Sequence, residues 1–199
     1  MKTAGKRAHA LGHPIVIDPV GVSGSSYRRE KCLELMKIIH PTCIRGNYSE
    51  IQALLHNCGT VTGVDAAEDA LAEAEETDLP ELMKQYAKKN QMILVASGET
   101  DLITDGSCVY RCHNGSPMMA RITGSGCMST VMLGAFLSAE NSVESAVACC
   151  AFTGIAGELA AKEMTAQKRG TMTFRNWFID AVSLMTPEQL EHGTDVDWF

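Results

Sequence analysis

A glycine-rich turn leads directly into an apolar helical run over residues 121–135, and this combination is suited to binding an anion. Gly124 and Gly126 allow positive φ angles and a close approach of the backbone to a ligand. The first N–H groups of the following helix have no partner within that helix, and its peptide dipoles place about half a positive charge at its start. A phosphate group is the expected ligand, with the Cys127 thiol beside it. The glycine spacing alone is equally typical of an ordinary strand-to-helix turn.

Acidic, cationic and hydroxyl side chains follow three short apolar runs that predict buried strands. Asp18 follows the first run. Arg45 ends the second run, and Glu50 lies five residues after it. Ser97 follows the third run. The loops after parallel strands gather at one edge of an open α/β sheet, where such proteins bind ligands. Phosphoryl transfer needs these groups, because its loose transition state is stabilised by Mg²⁺ on oxygen ligands and by cationic or N–H donors. The residues by themselves favour a phosphotransferase over an unspecified small-molecule binder.

The elements that must position these groups alternate along the chain, which predicts an α/β fold. The apolar patterns and their breakers predict strands at 15–17, 42–45 and 92–96, and helices at 4–11, 28–39, 82–89, 127–138, 143–164 and 173–184. Asn47 and Ser49 are both candidate caps for a further helix after the second strand.

The remaining segments predict turns and surface structure. Asp105-Gly106 predicts a hairpin between residues 102–104 and 108–112. The acidic stretch from Cys58 to Pro80 is expected to be loop and surface helix, and the tail after Thr186 is expected to be loosely held. Since no linker divides the chain, we expect a single domain over residues 1–199.

Composition excludes several classes of protein. The net charge of −7 argues against nucleic acid or an anionic membrane as the main partner, because either would favour a basic surface. The eight cysteines form no C-x-x-C pair and have no zinc-type spacing, which indicates reduced thiols. There is no signal-like start, and no uninterrupted apolar run approaches the length that spans a bilayer. We therefore expect a cytoplasmic protein.

Four ordered motifs resemble those of the hydroxyethylthiazole kinase family, within the ribokinase-like superfamily. They are IDPVGV followed by Tyr27-Arg28-Arg29, then IRGNYSEI, SGETDLITDG and NGSPMMARITGSGCM. The resemblance implies a ribokinase-like fold with a mainly parallel central sheet and helices on both faces. It implies ATP-dependent, Mg²⁺-dependent phosphorylation of the alcohol of 4-methyl-5-(2-hydroxyethyl)thiazole in thiamine salvage. It also implies a homotrimer with active sites at subunit boundaries.

The same resemblance implies roles for individual positions of this chain. The family usually has threonine at Ser97 and often at Ser125, so both positions keep the hydroxyl and lose a methyl group. The implied ATP-binding residues are Arg45, Asn47, Ser97 and Gly126, the implied metal ligands are Asp18 and Glu50, the substrate-contacting position is Gly124, and the catalytic base is Cys127.

A cysteine in the position of a base has a limited role on physical grounds. Only about a few per cent of an ordinary thiol is ionised at neutral pH. A loose transition state needs little activation of the attacking hydroxyl. We therefore expect Cys127 to assist the reaction without being indispensable. A covalent cysteine nucleophile is the alternative, but no histidine is positioned for it in the sequence.

Members of the family carry further strands and helices before the position that Ala4 occupies here. The expectation is thus an N-terminally truncated kinase domain whose first strands are missing, with an exposed sheet edge and an incomplete acceptor site. One alternative is a short form that binds nucleotide but is catalytically impaired. Another is a related enzyme such as ADP/ATP-dependent NAD(P)H-hydrate dehydratase, whose glycine turn ends in aspartate where this chain has Cys127.

Overall fold

Helices and strands alternate in the computed structural model, which describes residues 1–57 and 79–199. Most of the segment predicted as loop and surface helix, residues 58–78, lies outside the described residues. Contacts divide the chain into a first compact unit, Met1–Ala96 with Thr104–Val109, and a second, Ser97–Ile103 with Tyr110–Phe199. The elements of the first unit are α1 (Lys2–Ala10), β1 (Val16–Ile17), α2 (Ser26–Ile39), β2 (Cys43–Asn47), α3 (Tyr48–Asn57), α4 (Leu79–Asn90) and β3 (Ile93–Ser97, its last residue in the second unit).

The first unit is built on short, apolar strands in the order β1-β2-β3. β1 and β2 are parallel, with Val16 opposite Cys43 and Ile17 opposite Ile44. Cys43 and Ile44 are almost fully buried, as expected for strands that bear apolar side chains on both faces. The predicted parallel pairing and the predicted order of helix and strand are confirmed in this unit.

The second unit contains an antiparallel ladder and a group of helices. Its elements are β4 (Asp101–Thr104, its last residue in the first unit), β5 (Tyr110–Cys112), a short 3-10 helix (Pro117–Arg121), α5 (Ser125–Ala139), α6 (Val143–Ala166), α7 (Thr171–Leu184), α8 (Pro187–Gly193) and β6 (Val196–Trp198). β4 pairs with β5 in the predicted hairpin, with Ile103 opposite Tyr110. β6 pairs antiparallel with β5 on its other side. With the parallel pair of the first unit, the strands make a mixed α/β architecture of the predicted class.

The core of the second unit lies between helices. Phe174 and Phe178 of α7 are fully buried, and their two rings stack on each other with centroids 6.3 Å apart. Ala156 and Ala160, small residues of α6, belong to the same core cluster. The small side chains of α6 let neighbouring elements approach closely. Gly154 illustrates this, because a Cβ at that position would lie 2.5 Å from the backbone of Asn114.

The expectation of a loosely held tail is wrong. Thr186 and Gln189 form a reciprocal capping box at the start of α8, and Pro187 suits the first helical position. Asn114 then fixes the next turn, since its amide group donates to the Gly193 carbonyl at 2.8 Å and accepts from the Asp195 N–H at 2.8 Å. β6 follows as a ladder strand.

Among the described residues, one helix, α6, is long and apolar enough to cross a bilayer by length and composition. No segment of that kind was expected from the sequence. However, 61% of that apolar window is buried within the protein. A buried core helix meets the same criteria of length and composition as a membrane-spanning helix. The packing of α6 against α5 and α7 is that of a core helix.

Candidate active site

The Glu50 carboxylate joins two loops of the first unit. Glu50 is buried in the first turn of α3, with 9% of its surface exposed. One carboxylate oxygen accepts a hydrogen bond from the Gly21 N–H at 2.8 Å, and the other accepts from the Asn47 N–H at 3.0 Å. Gly21 lies in the loop after β1 and Asn47 ends β2. A single acid therefore fixes the loops that follow two neighbouring parallel strands.

Asn47 is the cap of α3. Its side-chain oxygen accepts from the Glu50 N–H at 2.9 Å and from the Ser49 hydroxyl at 2.8 Å. Of the two predicted caps, Asn47 is confirmed, whereas the Ser49 hydroxyl is a donor to it. Position 46 has little room for a side chain, since a Cβ on Gly46 would lie 3.1 Å from the Pro19 ring and 3.2 Å from the Glu50 Cβ.

Asp18 and Arg45 lie at the first two strands, as predicted. Asp18 directly follows β1 and is half-buried, and Arg45 lies within β2 and is half-buried.

The two carboxylates of Asp18 and Glu50 are of the type that suits a magnesium ion, which is commonly bound by one or two carboxylates together with substrate phosphates and water. Each Glu50 oxygen retains a second lone pair beyond its backbone hydrogen bond. Within residues 1–57 and 79–199 no group of three or more histidine, cysteine, aspartate or glutamate side chains could hold a metal ion by itself.

Arg28 and Arg29 have a role in the loop after β1 that was not predicted from the sequence. The Arg28 guanidinium donates to the Val20 carbonyl at 3.3 Å, and the Arg29 Nε donates to the Val22 carbonyl at 3.1 Å. These contacts hold the loop after β1 against the start of α2. The available signal was the position of two adjacent arginines soon after a glycine-rich loop.

The glycine turn of the second unit has the predicted geometry. Gly124 is the N-cap of α5 with φ of +96°, a left-handed conformation that favours glycine. The Ser125 hydroxyl donates to the Met119 carbonyl at 2.8 Å, which ties the first residue of α5 to the preceding 3-10 helix. Ser125 thus stabilises the turn, and the hydroxyl that the family's threonine would provide is retained.

Gly126 and Cys127 lie in the first turn of α5, and both are exposed. Their position at the start of a 15-residue helix gives the turn the local positive potential of a helix N-terminus. All seven described cysteines are free thiols. Cys112, by contrast with Cys127, is buried, and its burial raises the pKa of its thiol to about 12.

Ser97 ends β3 and is half-buried. The loop after it is closed by Asp101, whose carboxylate accepts from the Gly98 N–H at 3.0 Å. The structure therefore brings Gly21, Asn47 and Glu50 together in the first unit. In the second unit it brings Gly124, Gly126 and Cys127 together in one turn, and it places Ser97 at the start of a separate, ordered loop.

Comparison with known proteins identifies the family. A sequence model described as the hydroxyethylthiazole kinase family matches residues 1–188. Hydroxyethylthiazole kinase of Clostridium acetobutylicum is 36% identical over 194 residues, which cover 96% of this chain and 71% of that protein. The structure of the hydroxyethylthiazole kinase protein from Pyrococcus horikoshii aligns with a TM-score of 0.83 and 26% identity, over 99% of this chain and 70% of the other.

Pyridoxal kinase of Staphylococcus aureus shares the fold alone, with a TM-score of 0.52 and 19% identity over 79% of this chain and 57% of the other. This likeness agrees with the ribokinase-like fold that the motifs imply. The chain belongs to the hydroxyethylthiazole kinase family.

Proposed function

We propose that the protein transfers the γ-phosphoryl group of ATP to the hydroxyl of 4-methyl-5-(2-hydroxyethyl)thiazole, a step of thiamine salvage. Family membership supports the reaction. The observation that carries the proposal at the level of residues is the left-handed Gly124 cap at the start of α5, with an exposed Cys127 in the first helical turn. This arrangement provides an anion site and an accessible thiol within three residues of each other.

Each residue of the candidate site has a separate part in the proposed reaction. The backbone of the Gly124 turn supplies N–H groups and a helix dipole to the phosphates. Arg45 supplies positive charge, and Ser97 with Asn47 supplies polar contacts to the nucleotide. Cys127 accepts the proton of the substrate hydroxyl as that oxygen forms its bond to phosphorus and the bond from phosphorus to the leaving ADP oxygen breaks.

Asp18 and Glu50 are the proposed magnesium ligands. When bound, Mg²⁺ neutralises charge on the phosphates. Glu50 has a further, structural part, because its two backbone hydrogen bonds keep the loops after β1 and β2 in place. Removal of Glu50 would therefore disturb both the metal site and the Asn47 position.

A coupled assay of ADP release tests the proposal. The protein is incubated with ATP, Mg²⁺ and the thiazole alcohol, and the phosphorylated product is identified by mass spectrometry. Activity that requires both the alcohol and Mg²⁺ is expected. A parallel reaction with hydrated NADH as substrate tests the dehydratase alternative. ATP binding by calorimetry without any product would indicate a nucleotide-binding protein and would contradict the kinase assignment.

The assembly and location are part of the same proposal. We propose a homotrimer in the cytoplasm, as the family resemblance implies. Light scattering coupled to size-exclusion chromatography measures the oligomer, and a mass of one 21.5 kDa chain would contradict the trimer.

A further inference from the structure

A chain of side-chain hydrogen bonds links the end of the protein to the loop that follows Ser97. The Thr100 hydroxyl lies 3.3 Å from Nδ1 of His113, and Nε2 of the same ring lies 3.2 Å from the Asp197 carboxylate. Thr100 is the last residue of the loop 97–100, directly before β4, and Asp197 lies in β6. All three residues belong to the second unit.

Chemistry fixes the direction of these hydrogen bonds when the imidazole is neutral. The Asp197 carboxylate can only accept, so Nε2 of His113 carries the proton and donates it to that carboxylate. Nδ1 is then an acceptor, and the Thr100 hydroxyl donates to it. The loop is therefore held through the His113 side chain, whose orientation depends on Asp197 of β6, 84 positions further along the chain.

The His113 ring and Asp197 are themselves held by several contacts. The backbone N–H of His113 donates to the Asp195 carbonyl at 2.9 Å, and Nε of Arg111 donates to the Asp197 carboxylate at 2.6 Å. The Arg111 guanidinium also lies 5.0 Å from the centre of the Phe199 ring. The Arg111 hydrogen bond lowers the pKa of Asp197, and the His113 contact lowers it further, so this carboxyl stays ionised at neutral pH.

We propose that Asp197 and His113 are positioning residues for the nucleotide: through Thr100 they fix the loop 97–100, and with it Ser97. This inference rests on the proposed function, because the nucleotide contact of Ser97 is part of that function. A second hydrogen bond within this segment runs from the Gly98 N–H to the Asp101 carboxylate, and the Thr100–His113 contact adds to it. The expected effect of breaking the link is weaker ATP binding with little change in turnover.

Kinetics with separate substrates provide the first test. Thr100→Val keeps the shape of the side chain and removes the hydroxyl, and it should raise KM for ATP by roughly three- to tenfold, the value of one ordinary hydrogen bond. KM for the thiazole alcohol and kcat should change by less than about twofold. Thr100→Ser restores the hydroxyl and should recover most of the ATP affinity. Asp180→Asn, at an exposed acid of α7, is the control for Asp197→Ala, because it also removes one negative charge.

A double-mutant cycle separates a link through His113 from a general effect of β6. Asp197→Ala alone should also raise KM for ATP. If Asp197 acts through the imidazole on Thr100, the double variant Thr100→Val with Asp197→Ala should be no worse than the more affected single variant. Fully additive effects, or an equal rise in KM for both substrates, would overturn the proposal.

Amide hydrogen exchange gives a measurement that does not depend on catalysis. Exchange over residues 97–101 should be faster in Thr100→Val and Asp197→Ala than in the wild type and in Asp180→Asn. Unchanged exchange would show that the link does not hold the loop and would overturn the inference. If the wild type neither binds nor turns over ATP, the proposed function fails, whereas the exchange measurement still decides whether the hydrogen-bonded link exists.

Discussion

At the scale of single residues, Cys127 is exposed at the start of α5 in a position suited to accept a proton. We predict that Cys127→Ala lowers kcat by about tenfold to a hundredfold, at or below the usual contribution of a general base, because the loose transition state needs little nucleophile activation. Asp18→Asn should lower kcat further. Steady-state kinetics with both variants provide the measurement. A Cys127→Ala variant with no activity and normal ATP binding would contradict this account.

Glu50 is the residue in which structure and proposed catalysis overlap. Glu50→Gln retains one acceptor oxygen but places an NH₂ group against either the Gly21 or the Asn47 N–H. We therefore predict a loss of about 1–3 kcal/mol in the free energy of unfolding, the usual cost of a buried donor left without a partner. Urea denaturation measures it.

The matched control for Glu50→Gln is Glu30→Gln, at an exposed acid that pairs with Lys31. Its effect should stay within about 0.5 kcal/mol, as for most surface substitutions. Equal stability of the two variants would mean that the Glu50 hydrogen bonds contribute nothing to the fold.

Single residues were predictable from the sequence where their chemistry is local. The left-handed Gly124 and the Asn47 cap follow from what glycine and asparagine do at helix starts. The dual hydrogen bonding of Glu50 and the loop contacts of Arg28 were not predicted, because each joins segments whose approach only the fold determines. The catalytic and ligand roles of the site residues stay predictions.

At the scale of elements, α6 packs closely through two glycines that differ in what they contact. A Cβ on Gly154 would lie 2.5 Å from backbone atoms of Asn114, whereas a Cβ on Gly157 would meet the flexible end of the Met119 side chain, also at 2.5 Å. Alanine gains up to about 1 kcal/mol of helix propensity over glycine at either position.

We predict that Gly154→Ala is destabilising by about 1–3 kcal/mol, because the backbone at Asn114 cannot yield without moving the contacts of α8 and β6. Gly157→Ala should be close to neutral, since Met119 has three side-chain torsions with which to move away. Thermal unfolding of the two variants compares them directly. A more stable Gly154→Ala would indicate that the Asn114 loop is not held where the structure places it.

Helices were predictable to within a few residues where an apolar stretch is bounded by clear caps or breakers, as in α2, α6 and α7. The tail was not, although Thr186-Pro187-Glu188-Gln189 is a recognisable helix start. The reason is that β6 has only three residues and forms because β5 offers it a ladder partner. A strand that short has little signal of its own, so the third strand of this antiparallel ladder could not be predicted.

At the scale of the whole molecule, both units have exposed carboxylates whose pKa values are lowered by cations. Lys2 and Lys31 hydrogen-bond Glu34 in the first unit, and Arg111 hydrogen-bonds Asp197 in the second. Because each folded-state pKa lies below its ordinary value near 4, the stabilising contribution is complete above about pH 4 and is lost as the pH falls through the lowered value. The protein should therefore be less stable at pH 3 than at pH 6.

We predict that Asp197→Asn and Glu34→Gln each make the protein less stable at pH 6, and that each difference from the wild type shrinks as the pH falls below about 4. The reason is that the wild-type carboxyls then become protonated as well. Since the two carboxylates share no partner, the effects of the variants should add. Urea denaturation followed by circular dichroism at several pH values, with and without 1 M salt, is the measurement, and salt should shrink both differences at pH 6. A difference that persists unchanged at pH 3 would mean that the substituted side chains act through packing and not through charge.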